Sequence, residues 1–110
     1  MDDLTKQACT DLPTGTPAMG ADEIAAAMAQ LHGDWRVEGN KLARRFEVKG
    51  FAPAMLLANA AGFLAEREGH HPDICLGWGW CEVTFWTHTV GGLSLNDFIC
   101  AAKLDAMVTG

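Results

Sequence analysis

Two segments that read as β-hairpins, set among three that read as helices, predict an α+β fold. The expected order is α-β-β-α-β-β-α, a four-stranded antiparallel sheet with three helices packed on one face. Three observations carry this. Residues 35–48 alternate apolar and polar positions about Gly39-Asn40, a pair suited to a two-residue turn. Residues 74–88 alternate again about Gly77 to Gly79. Three further stretches space their apolar residues by three and four, the helical period.

Residues 1–20 hold Pro13, Gly15, Pro17 and Gly20 and no sustained period. They are expected to form an extended or mobile leader, with the domain spanning 21–110. From Asp22 the pattern is helical, with Ile24, Met28 and Leu31 at i, i+4 and i+7 and a stop at Gly33. Trp35 and Val37 begin a strand whose return, Leu42 to Val48, puts Leu42, Phe46 and Val48 on one face. Arg44 shares that face and is expected near the strand end or at a cleft. A second helix opens at Phe51-Ala52-Pro53, with the proline in its first turn. Its expected buried stripe is Leu56, Ala60, Phe63 and Leu64, and Gly69 ends it.

Ile74, Leu76 and Trp78 alternate as a third strand. A fourth, Trp80 to His88, sends Cys81, Val83, Phe85 and Thr87 to one side. Trp80, Glu82, Thr84, Trp86 and His88 take the other side. Two tryptophans on a polar face point to contact with another subunit. The last helix begins at Ser94, with Leu95, Phe98, Ile99, Ala102 and Ala106 on one stripe. Ser94 and Asp97 have capping-box spacing.

A chain of 110 residues, 49% hydrophobic and 20% charged, suits one domain with a modest core. That size is marginal alone, which favours self-association. A net charge of −6 argues against direct binding to nucleic acid or an anionic membrane. No run approaches the roughly 18 apolar residues of a membrane span. Cys9, Cys75, Cys81 and Cys100 show no C-x-x-C spacing. Asp2, Asp3, Lys6 and Asp11 stand where a secretion signal would be apolar. The expectation is a cytoplasmic protein whose thiols are reduced and buried.

Histidine, with an unperturbed pKa of about 6.5, exchanges protons near neutrality. His70, His71 and His88 fall at the ends of predicted elements, where scaffolds display chemistry. Pro72 biases His71 toward extended backbone. Pairing of the third and fourth strands brings His71 and His88 to one sheet edge. Glu66 lies one helical turn before His70, where a carboxylate could orient an imidazole or raise its pKa. From spacing alone three readings stay open: a proton-transfer site, structural histidines or a metal site. Adjacent histidines in an extended segment point to opposite sides, which is awkward for one ion.

The run Glu66-Arg-Glu-Gly-His70-His71-Pro72-Asp73, then Trp78, then Thr87-His88, then Gly92-Leu93-Ser94 with Asp97 resembles the signature of the pterin-4a-carbinolamine dehydratase family. Gly33-Asp34-Trp35 and Phe51 fit as well, so the resemblance spans roughly residues 20–108. It implies dehydration of 4a-hydroxytetrahydropterin to quinonoid dihydropterin, with no cofactor and no metal. Such enzymes serve aromatic amino-acid hydroxylases that use a tetrahydropterin.

By the same resemblance, His70 and His88 are the proton-transfer candidates and His71 the main binding and orienting group. Glu66 and Asp97 would support the histidines, although capping alone could also explain Asp97. Pro72 belongs to the motif, and Trp78 fills an aromatic slot as a core residue or a pocket wall. Thr87 is expected to point into the sheet core. His32 matches no motif and is expected to be structural, near a helix C-terminus.

Family members are homo-oligomers, so a dimer or tetramer is implied, with a pterin as substrate. Animal relatives also act as dimerisation cofactors of a homeodomain transcription factor, which makes a non-catalytic protein-binding role the alternative. Residues Cys75 to Trp80 are more apolar than the family pattern.

Overall fold

A computed structural model describes residues 1–109, and its element order is the predicted one. The elements are α1 (Ala21–Met28), β1 (Arg36–Glu38), β2 (Lys41–Glu47), α2 (Phe51–Glu68), β3 (Asp73–Gly77), β4 (Trp80–Phe85) and α3 (Leu95–Thr109). Gly110, counted in the expected domain, lies outside the described residues. All strand pairs are antiparallel and the sheet order is β1-β2-β4-β3. The second hairpin therefore docks its return strand against β2, which places β4 inside the sheet.

Period-two alternation decides which side chains are buried. Leu42 and Phe46 of β2 join Cys81, Val83 and Phe85 of β4 in one cluster with Leu64 of α2 and Phe98 of α3. On the opposite face Arg36 pairs with Glu82 at 2.9 Å. There the guanidinium of Arg45 lies 4.5 Å from the Trp80 ring centroid, and the ammonium of Lys41 lies 4.6 Å from that of Trp86. Both tryptophans are half-buried under these cations.

The stripe expected of α2 is corrected at Leu56 and Phe63, while Leu64 is buried and Ala60 packs partly buried against the core. Ala54, Ala61, Leu64 and Ala65 are buried, whereas Leu56 is 68% exposed and Phe63 78%. Alanines bring the helix close to the sheet with Leu64 between them, and Leu56 and Phe63 are left facing outward. Arg44 is also corrected, since it lies within β2 and is buried. Its Nη1 donates to Asp105 Oδ1 of α3 at 2.7 Å, and its guanidinium stacks 4.1 Å from the Phe46 ring centroid. Asp105 also accepts from Trp35 Nε1 at 2.7 Å and from the backbone N–H of His32 at 2.9 Å. His32 thus lies beyond α1, in the link to β1.

Residues 1–20, expected as an extended or mobile leader, include a 3-10 turn at Leu4–Lys6. Leu4 is fully buried, and its N–H donates to Gln30 Oε1 at 2.9 Å. Further along, the backbone of Thr10 exchanges two hydrogen bonds with the Asn96 side chain, at 3.1 and 2.8 Å. Among the described residues no helix is long and apolar enough to cross a membrane.

Candidate active site

Three chain segments meet at one carboxylate. Gly69 closes α2 in the left-handed conformation, φ +67°, a backbone state that glycine adopts without strain. The reversal sends His70 inward, and its own N–H donates back to the Ala65 carbonyl at 3.1 Å. The ring then stacks on Phe85, with centroids 6.1 Å apart and planes 9° from parallel. Only 12% of the side chain is exposed, and its Nε2 lies 2.6 Å from Oδ1 of the fully buried Asp97.

The second Asp97 oxygen has two donors of its own. Thr87 Oγ1 donates to Oδ2 at 2.9 Å, and the Ser94 backbone N–H donates to it at the same distance. Thr87 has one hydroxyl hydrogen, so Ser94 Oγ must be the donor in their 2.8 Å contact. The predicted capping box is therefore half formed: Asp97 caps the Ser94 amide, while the Ser94 hydroxyl turns to Thr87. Asp97 thus opens α3 and also faces an imidazole. Donor and acceptor roles assign His70 the tautomer with its proton on Nε2, leaving the Nδ1 lone pair free.

His71 points away from this cluster, as alternation requires. Its Nε2 bonds to Glu66 Oε2, and both side chains are exposed. Glu66 thus serves His71, not His70 as the helical spacing had it. The left-handed turn at Gly69 rotates His70 inward and leaves the next residue beside the helix end. Pro72, half-buried, carries the chain from there into β3.

His88 is not at a strand end as expected. β4 stops at Phe85, and His88 opens a 3-10 turn, His88–Val90. Backbone bonds between Thr87 and Gly92, 2.9 and 3.4 Å, close this loop. His88 Nε2 accepts a hydrogen bond from Trp86 Nε1 at 2.9 Å, with the rings edge to face, 5.1 Å between centroids. That bond assigns the other proton position to His88, on Nδ1. Alternation had put Trp86 and His88 on one face, which was the available signal for this pair.

Trp78 is corrected. It is 75% exposed in the turn between β3 and β4, at the opposite end of β3 from the histidine pair. At that exposure Trp78 is no core residue, and five strand residues put roughly 15 Å between it and the histidine pair. Sequence reasoning also missed Phe85 as the surface on which His70 stacks. An open hollow of about 390 Å³ on the outer side of α2 is lined by Ala58, Asn59, Gly62, Phe63 and Glu66. It reaches Glu66, but no histidine lines it.

Residues 17–107 match the family model described as Pterin 4 alpha carbinolamine dehydratase. The chain belongs to that family. A relative from Alkaliphilus metalliredigens is 43% identical over 106 residues, covering 96% of each chain. One from Nitrosomonas europaea is 41% identical over 105 residues, covering 96% of this chain and 93% of its own. Both are provisionally named as pterin-4-alpha-carbinolamine dehydratases, which are hydro-lyases.

Two solved structures share the dehydratase fold. A transcriptional coactivator/pterin dehydratase from Brucella melitensis has a TM-score of 0.75 and 26% identity, over 82% of this chain and 97% of its own. A pterin dehydratase-like protein described as a RuBisCO assembly factor in the alpha-carboxysome has a TM-score of 0.58 and 29% identity. That match covers 69% of this chain and 90% of the other.

Proposed function

We propose that this chain removes water from a 4a-hydroxytetrahydropterin to give the quinonoid dihydropterin, with its histidines as general acid and base. The supporting observation is the Asp97 carboxylate, which bonds both the His70 ring and the Thr87 hydroxyl next to His88. In the reaction the C4a–O bond breaks, the hydroxyl leaves as water after taking a proton, and N5 gives up its proton as the C4a=N5 bond forms. His70 accepts the N5 proton on its free Nδ1, and Asp97 stabilises the resulting imidazolium, the role of the aspartate in a serine-protease triad.

His88 acts as the acid in its imidazolium form: a proton taken up at Nε2 displaces the Trp86 bond, Nδ1–H then goes to the leaving hydroxyl, and the ring is left neutral. His71, steadied by exposed Glu66, binds and orients the pterin. Acid and base of this kind contribute about 10²–10⁴-fold. The reading includes a cytoplasmic setting, recycling of tetrahydropterin for aromatic amino-acid hydroxylases and a homo-oligomer, dimer or tetramer.

The test is stopped-flow absorbance of carbinolamine decay, with the substrate generated in situ. Wild type accelerates the decay, and the folded His70→Ala/His88→Ala variant loses that acceleration. His71→Ala raises KM, whereas His88→Ala lowers kcat. Wild type no faster than buffer would remove the enzyme assignment.

A second reading has its own observation. Phe51, Leu56 and Phe63 are exposed along α2, which is the kind of surface a protein-binding cofactor uses. A partner retained by the histidine double variant, in a protein without dehydratase activity, would favour it.

A further inference from the structure

Away from the histidines, the N-terminal segment lays one thiol against another. Cys9 Sγ and Cys100 Sγ are 3.5 Å apart, within hydrogen-bonding contact. Cys9 is half-buried, whereas Cys100 is buried on α3.

Several bonds fix the approach. The Cys9 N–H donates to Glu68 Oε1 at 2.9 Å, and its thiol lies 3.5 Å from the Asn96 carbonyl oxygen. Thr10, the next residue, is held by the two bonds to the Asn96 side chain. Asn96 and Cys100 are one helical turn apart, so the anchor and the second thiol share one face of α3. Cys75 and Cys81 have no such arrangement: Cys75 pairs across the sheet with Glu82 and Cys81 with Leu76, on opposite faces.

We propose that Cys9 and Cys100 form a reversible disulfide that clamps the N-terminal segment to α3. The contact is already made, and the sulfurs need close only from 3.5 Å to about 2.05 Å. The hydrogen bond with Cys9, and then burial, hold the Cys100 thiol well above the usual thiol range. The first attack therefore falls to the less buried Cys9.

With a low-molecular-weight disulfide as oxidant, the Cys9 thiolate displaces one thiolate and forms a mixed disulfide. The Cys100 sulfur then attacks Cys9 Sγ, passes its proton to the departing thiolate, and completes the bond. Two protein thiols are oxidised, and one small disulfide is reduced to two thiols.

The experiment is incubation of the whole folded chain with oxidised glutathione, acid quench, intact-mass analysis and non-reducing peptide mapping. Wild type yields a species lighter by two hydrogens in which peptides containing Cys9 and Cys100 are linked. Any adduct on exposed Cys75 adds its own separate mass. The linked form melts about 5 °C or more higher, because the bond closes a long loop, and dithiothreitol reverses the change. Cys100→Ala traps glutathione on Cys9, and Cys9→Ser leaves Cys100 unmodified while the protein is folded. A lasting glutathione adduct on Cys9 in wild type, or no Cys9–Cys100 link after Cys75 has fully reacted, would overturn the proposal.

Discussion

At Asp97 a single carboxylate receives an imidazole, a hydroxyl and the amide that opens α3, all while fully buried. Changing it to asparagine keeps the volume but replaces one acceptor with a donor. An NH₂ group facing His70 would favour the tautomer with the proton on Nδ1, which removes the free lone pair. Asp97→Asn is expected to lower turnover by about 10²–10⁴-fold with a modest loss of Tm. Turnover within a factor of about two of wild type would show that His70 needs no such partner.

Spacing alone could not find this pair. The bond joins residues 27 positions apart, and the nearer carboxylate, Glu66, was the natural partner on helical spacing. The resemblance brought Asp97 forward because it matches a motif, not a distance. His70 and His71 were correctly set on opposite sides, because extended backbone alternates whatever the tertiary context.

Among the elements, β4 was legible and α2 was misread. Cys81, Val83 and Phe85 are buried as alternation requires, since a strand has only two faces. In α2 apolar residues occupy nearly every side, so the period gives no single answer. Close approach to the sheet then selects Ala54, Ala61 and Ala65, a choice set by volume and not by hydrophobicity.

Glu68, in the last turn of α2, links elements that no local pattern joins. It accepts from the Cys9 N–H and from Lys103 Nζ of α3, each at 2.9 Å. Burial pushes the carboxyl up, but the Cys9 amide and the Lys103 ammonium outweigh it and hold the group below its ordinary 4.5. Its folded pKa is depressed, so its stabilisation is present above the unfolded value and lost as pH falls through the folded one. Glu68→Gln should therefore cost stability near neutrality and flatten the loss of stability below about pH 4.5. Urea midpoints of both proteins across that range test this, and parallel curves would contradict it.

For the whole molecule, Asp105 has a comparable part, tying the link before β1, the strand β2 and the helix α3 through His32, Trp35 and Arg44. Arg44 is buried and its Nε already lacks a partner, so removing Asp105 would strand the charge. Asp105→Ala is expected to cost about 3–5 kcal/mol in urea unfolding. Arg44→Met/Asp105→Leu should recover most of it, and an equal loss in the double variant would place the effect elsewhere.

The two hairpins were legible from Gly39-Asn40 and Gly77 to Gly79, but their docking order was not, because nothing local says which strand lies against which. That order bears on the time course of assembly. The β2–β4 pairing sets Leu42 opposite Phe85 and can close only after the intervening helix and hairpin have been brought round. Such distant closure is slow beside the formation of a hairpin. His70 rests on Phe85, and its acceptor comes from the helix that follows β4. A refolding chain could therefore display both hairpins while still lacking a competent imidazole.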